Sequence, residues 1–157
     1  MRVLLVRHGH AGTKEGWRGD DRARPLDARG RRQAEDLAVV LADLGPGRVV
    51  TSPYLRCLQT MEPLSAKTGL PIERHDALTP SGPARAVTLV RDLAASGPAD
   101  PVVLCTHGEV MGVVLATLVA EDGLRLGRRR PGIKGCVWVI DFEGATATQA
   151  RYIAPRS

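Results

Sequence analysis

Aromatic residues are scarce: the 157 residues include one Phe, two Trp and two Tyr. A core without large rings has to be filled by Val, Leu, Ile and Ala, and small-residue helices packing closely on sheets favour α/β layers. Cysteine is equally sparse, with three residues in the chain. Cys57, Cys105 and Cys136 are widely spaced in apolar surroundings, which indicates neither a disulfide framework nor a zinc site. They read as small buried hydrophobes. Long apolar runs are also missing. The opening Met1 to Val6 reaches Arg7 and His8 after too few apolar residues for a signal peptide, and no stretch approaches membrane-spanning length. The expectation is a cytoplasmic protein without a membrane partner.

What is present is a chain 43% hydrophobic and 25% charged, the composition and size of one globular domain spanning 1–157 with one sizeable core. The net charge of +5 comes mainly from arginine spread along the chain. Only Arg128-Arg129-Arg130 forms a run of three, so a nucleic-acid face is weakly supported. Anionic small substrates fit at least as well, because the planar guanidinium fork holds phosphate or carboxylate through two hydrogen bonds.

Val3-Leu4-Leu5-Val6 is a short continuous apolar run, as expected for a strand covered on both faces, and it stops at Arg7-His8-Gly9. Asp27 is predicted to cap a helix carrying Ala34, Leu37, Ala38, Leu41 and Leu44 at helical spacing, ended by Gly45 and Pro46. Val49 and Val50 form a second strand. Ser52 is placed as the cap of a second helix with Pro53 in its first turn and Leu55, Leu58, Met61 and Leu64 inward, up to Gly69. A weak third strand begins at Ile72 and a third helix spans Ala84 to Ala95. Val102-Val103-Leu104-Cys105 is another buried-strand run, ending at Thr106-His107-Gly108, and a fourth helix follows through Ala120. Cys136 to Phe142 and Ala145 to Ile153, around Glu143-Gly144, read as an antiparallel hairpin at a sheet edge. The alternation predicts a three-layer α/β/α sandwich with a mostly parallel central sheet and an antiparallel edge strand.

In such sheets ligands bind beyond the carboxyl ends of the strands, and both His8 and His107 lie at such ends. Each is followed by Gly, which lets the backbone turn sharply and leaves space for a ligand. Imidazole suits phosphoryl transfer, since one ring nitrogen can attack while a hydrogen bond to the other fixes the tautomer. Arg7 beside His8, and Arg56 one turn into the second helix, are placed to neutralise a phosphate. Their charges would also disfavour protonation of His8.

Leu5-Val6-Arg7-His8-Gly9, then Thr51-Ser52-Pro53 with Arg56 and Gln59-Thr60, then Thr106-His107-Gly108 together resemble the histidine phosphatase superfamily, or phosphoglycerate mutase-like fold. Trp17-Arg18-Gly19-Asp20-Asp21, Pro25-Leu26 and Gly30 to Gln33-Ala34 extend the resemblance over nearly the whole chain. It implies that His8 becomes phosphorylated, that Arg7 and Arg56 bind the phosphoryl oxygens, that His107 stabilises the charge developing in transfer, and that water then hydrolyses the phosphohistidine. No metal or other cofactor is implied.

Family members acting on alkyl phosphates usually carry a glutamate, the general acid, shortly after the third strand. Here Asp76-Ala77-Leu78-Thr79-Pro80 puts Pro80 at that place, and Asp76 and Glu109 become the candidate proton donors. Each has a plainer reading: Asp76 as a solvated loop carboxylate, Glu109 as a first-turn residue favoured by the helix dipole. The short chain, the missing Glu and Leu78-Thr79-Pro80 resemble the compact SixA-type phosphohistidine phosphatases. The segments around Trp17 to Arg22 and Lys134-Gly135-Cys136-Val137-Trp138-Val139 resemble the phosphatase domain fused to some bacterial Nudix hydrolases. The expectation is therefore a phosphatase for monoesters or anhydrides of small molecules, nucleotides included. A protein phosphohistidine phosphatase is the enzyme alternative, and a phosphate- or nucleic-acid-binding module the non-catalytic one.

Thr13, Lys14, Trp17 and Arg18 are candidate substrate contacts. Trp17 could stack on a base or sugar, although packing of its own loop is the commoner use of such a residue. Lys14, Arg18 and Arg22 have the competing reading of a solvated charged loop. His10 lacks a carboxylate or Cys at recognisable ligand spacing, which argues against a metal. His75 and the Arg128 to Arg130 run read as surface features.

Overall fold

The computed structural model describes residues 1–128 and 132–156. Arg129 and Arg130 of the arginine run lie outside them, and Arg128 is exposed. Six strands form one sheet: β1 (Arg2–Arg7), β2 (Arg48–Thr51), β3 (Ile72–Arg74), β4 (Val102–Thr106), β5 (Val137–Glu143) and β6 (Thr146–Ile153). Their order is β3-β2-β4-β1-β5-β6. The pairs β1–β4, β2–β4 and β2–β3 are parallel, whereas β5 runs antiparallel to β1 and β6 to β5. The tail is thus a hairpin as expected, but only β6 lies at the edge. β5 is an interior strand, which is why Val137 to Ile140 are buried in a continuous run.

The period of two along β1 divides the core. Val3 and Leu5 face α3 (Pro83–Ser96) and α4 (Gly108–Asp122), meeting Ala86, Val90, Val110, Met111 and Leu115. Leu4 and Val6 face α1 (Ala28–Asp43) and α2 (Leu55–Thr68), meeting Leu37, Leu41, Cys57, Met61 and Leu64. Two helices cover each face, so all four residues of the β1 run are buried and need no polar alternation. The result is the expected three-layer α/β/α arrangement.

Asp27 caps α1 as predicted, its carboxylate accepting from the Gly30 amide at 2.8 Å. Gly30 is there because the loop after β1 crosses the helix start: a Cβ on it would lie 1.9 Å from the His10 carbonyl oxygen. The second helix departs from expectation. It begins at Leu55 with Tyr54 as its N-cap residue and no side-chain cap, so Pro53 precedes the helix and Ser52 does not cap it. The Ser52 hydroxyl is engaged elsewhere, with consequences below. No helix among the described residues is long and apolar enough to cross a membrane.

Candidate active site

The carboxyl ends of three parallel strands converge. Arg7 and Thr106 are register partners at the ends of β1 and β4. One residue further, the His8 amide donates to the Thr106 carbonyl at 3.1 Å, and the Ser52 amide donates to the Cys105 carbonyl at 2.9 Å. Backbone pairing thereby carries His8, His107 and Ser52 to one place beyond the sheet. The two imidazoles stand edge to face with centroids 5.3 Å apart. Relative exposures of 4% for His8, 1% for His107 and 4% for Arg56 show that these polar groups are held inside the protein.

A carbonyl oxygen only accepts, so the 2.8 Å contact between His8 Nδ1 and the Gly9 carbonyl puts the ring proton on Nδ1. Nε2 is left unprotonated, and its lone pair accepts from Arg56 Nε–H at 3.3 Å. Burial is the main influence holding the His8 pKa well below its usual value; the Gly9 carbonyl opposes it, while His107, Arg56 and Arg7 add to it. The sequence marks the arginines alone for this effect. Desolvation by the packed pocket outweighs them.

Arg7 reaches across its own strand end, Nη1 donating to the Gly132 carbonyl at 2.9 Å. Its Nε is buried and has no partner among the described residues, an orphaned donor of the kind an anion satisfies. The guanidinium lies on Gly108, where a Cβ would sit 2.7 Å from Arg7 Cζ. Neither Gly9 nor Gly108 has a positive φ. The expectation of a sharp turn and ligand space is therefore corrected: Gly108 makes room for Arg7, and Gly9 for the backbone of Gly30, 2.9 Å from its would-be Cβ.

Arg56, the second residue of α2, is held from outside the pocket by Asp21 in a 3-10 turn (Asp21–Ala23). Nη1 donates to the Asp21 carbonyl at 2.8 Å and Nη2 to its carboxylate at 3.1 Å. Arg24 Nε donates to the other carboxylate oxygen at 3.0 Å. Burial pushes the Asp21 carboxyl upward, but its bonds to Arg24 and Arg56 prevail and hold it below the usual range. Nη2 of Arg56 also lies 3.5 Å from His107 Nδ1. On the far side of that ring, Nε2 meets Ser52 Oγ at 2.8 Å. Tyr54 completes the wall, its ring 4.7 Å from that of His107 and 5.0 Å from the Arg56 guanidinium carbon.

Asp21, Ser52, Tyr54 and Lys134 thus belong to the surroundings of the pocket although sequence reasoning did not single them out as site residues. Lys134 is half-buried, and burial followed by the charges of Arg7 and Arg24 lowers its pKa, Arg56 adding and Asp27 opposing. The signals available were the Trp17-to-Asp21 motif for Asp21 and the Thr51-Ser52-Pro53 motif for Ser52; nothing local marked Tyr54.

Other candidates lie outside this constellation. Thr13 Oγ1 accepts from the Gly16 amide at 3.0 Å within its own turn. Trp17 is half-buried and donates from Nε1 to the Asp20 carbonyl at 2.9 Å, and Lys14 and Arg18 are exposed. His10 Nδ1 is tied to the Asp27 carboxylate. Asp76 is exposed in the 3-10 turn Asp76–Leu78, and Glu109 is exposed in the first turn of α4. His75 is exposed and accepts from the Ala77 amide at 3.1 Å. Among the described residues, no hydrogen bond joins Asp76 or Glu109 side chains to the two histidines or to Arg7 and Arg56.

Residues 3–79 match the model of the histidine phosphatase superfamily, branch 1. The chain is 35% identical over 159 aligned residues to the 8-oxo-(d)GTP phosphatase of Mycolicibacterium smegmatis. That alignment covers 98% of this chain and 48% of the relative, so the chain spans about half the length of the curated relative. Among solved structures, the protein histidine phosphatase SixA complexed with tungstate superposes with a TM-score of 0.79 at 24% identity, covering 99% of this chain and 97% of that one. A mycobacterial glucosyl-3-phosphoglycerate phosphatase complexed with VO3 has a TM-score of 0.73 at 21% identity, with 99% of both chains covered. These two likenesses concern the fold.

Proposed function

This chain belongs to the histidine phosphatase superfamily, and we propose that it hydrolyses phosphate esters or anhydrides of small molecules through a phosphohistidine formed on Nε2 of His8. The observation that carries this reading is the state of His8: buried, its proton held on Nδ1 by Gly9, its unprotonated Nε2 accepting from Arg56. A neutral nitrogen nucleophile among cationic side chains is what attack on a phosphoryl group needs.

In this reading the three phosphoryl oxygens are shared among Arg7, Arg56 and His107. The unpaired Nε of Arg7 donates to one oxygen. The edge of Arg56 that now faces His8 donates to another, its opposite edge staying on Asp21. His107, its ring fixed from behind by Ser52, stands against the third; its Nδ1, which accepts from Arg56 Nη2 in the free pocket, donates to that oxygen once it carries a proton. As the phosphorus moves onto Nε2, charge spreads over these oxygens; Arg56 Nε exchanges its bond to Nε2 for one to phosphate, while the unpaired Arg7 Nε is already in place to stabilise that charge. Water then attacks the phosphohistidine and returns the lone pair to Nε2. Nucleotides are a substrate class supported by the 8-oxo-(d)GTP phosphatase relative.

The test is hydrolysis of p-nitrophenyl phosphate together with trapping, by an alkaline denaturing quench, of a base-stable, acid-labile phosphoenzyme. His8→Ala is expected to abolish the trapped phosphoenzyme and to lower kcat by about a thousandfold or more, as removal of a nucleophile does. Trapping at another residue, or undiminished turnover in the variant, would overturn the reading. A phosphohistidine-bearing protein assayed alongside separates the two substrate classes.

A further inference from the structure

Outside the four-residue pocket, a cleft of about 350 Å³ is lined by Arg22, Tyr54, Asp76, Thr79, Ser81 and Arg85, together with Pro53. It adjoins the pocket through Tyr54, whose ring meets His107 and Arg56. Arg22 lies over the same ring at 5.9 Å. The other wall is fixed to the catalytic strand end, since the Thr106 hydroxyl donates to the Leu78 carbonyl at 2.7 Å. The cleft therefore has a set position relative to His107.

Its polar groups differ in what they can offer a ligand. The Thr79 hydroxyl donates to the Asp76 carbonyl at 2.8 Å and meets the Ser81 hydroxyl at 2.9 Å, so both are engaged within the loop. Arg22 and Arg85 are exposed, and among the described residues neither forms an ion pair. Two guanidinium groups against the single Asp76 carboxylate leave the cleft cationic. Arg85 also stands in the first turn of α3, whose Gly82 cap supplies no side chain to the helix amides. Pro80, at the place where the family resemblance puts a general acid, lies between Thr79 and Ser81. Pro80 supplies no proton donor for an alkoxide, and the unengaged donors of the cleft are the two guanidinium groups.

We propose that this cleft is the leaving-group subsite, that Arg22 and Arg85 bind a phosphate there, and that the substrate is accordingly a phosphoanhydride such as a nucleoside polyphosphate. The inference rests on the phospho-His8 reading and narrows its substrate class. The Nε2 lone pair of His8 forms the P–N bond. The bridging P–O bond breaks with its electron pair going to the leaving phosphate oxygen, which departs unprotonated and held by the two guanidinium groups. In the second step a water oxygen bonds to phosphorus, the P–N electron pair returns to Nε2, one water proton stays on the released phosphate and the other passes to solvent. No general acid is needed, because a phosphate is a far better leaving group than an alkoxide.

The experiment compares kcat/KM for GTP and for p-nitrophenyl phosphate in the unaltered chain and in the Arg22→Ala/Arg85→Ala double variant; both positions are exposed, so the fold is expected to persist. The ratio of GTP to aryl phosphate kcat/KM is expected to fall about tenfold or more, the loss of charge-assisted hydrogen bonds to the leaving phosphate. An unchanged ratio overturns the subsite. So does an unaltered chain that hydrolyses the aryl phosphate through phospho-His8 yet releases no phosphate from GTP, a result that leaves the phosphohistidine reading standing. A chain that forms no phosphoenzyme from either compound defeats both readings together.

Discussion

Arg56 and His8 meet nitrogen to nitrogen: the Nε–H of the guanidinium is aimed at the unprotonated Nε2 of the imidazole from 3.3 Å. Two cationic partners would repel at that distance, so the contact is compatible with a neutral His8 and opposed to a protonated one. Arginine is the side chain that keeps this relationship at any ordinary pH, since it does not lose its proton.

The first prediction is a pH dependence. The folded-state pKa of His8 is depressed, so between that value and the unfolded value of about 6.5 the unfolded chain binds the extra proton. Nε2 thus stays available as the pH falls through about 6.5, and the acid limb of phosphoenzyme formation is expected below that value. Stability moves the other way: the contribution of neutral His8 is fully present above about 6.5 and declines as the pH falls below it. Rapid-quench phosphoenzyme formation and urea unfolding across pH 5 to 8 check both. An acid limb at or above the free-histidine value would contradict the assignment.

Gly108→Ala separates stability from activity. Gly108 opens α4 without a positive φ, so alanine suits the helix there and would by itself stabilise by up to about 1 kcal/mol. The new methyl group nevertheless falls 2.7 Å from Arg7 Cζ and 2.9 Å from its Nε and Nη2. The guanidinium has to move, and the donor expected to face phosphate moves with it. Little change in melting temperature with a kcat/KM lowered about tenfold or more, the worth of a charge-assisted hydrogen bond, is the expected pair of results. Unaltered kcat/KM would show that Arg7 does not act from where it lies.

Asp21→Asn tests positioning. Asp21 touches the outer edge of Arg56 through both carbonyl and carboxylate, and the variant removes the charge and turns one of the two carboxylate acceptors, shared between Arg56 and Arg24, into a donor. A looser guanidinium predicts a kcat lowered about tenfold, on the scale of one charge-assisted bond. Loss of a negative charge beside the pocket predicts tighter binding of anions, so KM and the inhibition constant of vanadate are expected to fall as well. A rise in KM with kcat unchanged would mean that Asp21 contributes to substrate binding and not to the setting of Arg56.

Much of this protein is legible in its sequence. The apolar runs at Val3–Val6 and Val102–Cys105, each cut off at a histidine, marked two strands buried on both faces, and alternation with helical periods indicated the layers. Asp27 was legible as a cap because capping is local: its partner, the Gly30 amide, is three residues away. Ser52 read falsely by the same logic. A serine before Pro53 has every local mark of a cap, and only the approach of β4, bringing His107 Nε2 to 2.8 Å from its hydroxyl, decides otherwise.

What the sequence alone determined is the periodicity and the local residue chemistry: which residues must be buried, where each strand must stop, and which histidines and arginines stand at those stops. The tertiary structure decided the pairings across the chain. Asp21 on Arg56, Ser52 on His107 and Arg7 lying on Gly108 join segments that no local pattern connects, because each depends on the crossover that puts β4 between β1 and β2. Local propensity acts over one turn of helix or one step of strand. Coordination of a pocket is set by the sheet order, which emerges only when all the layers pack.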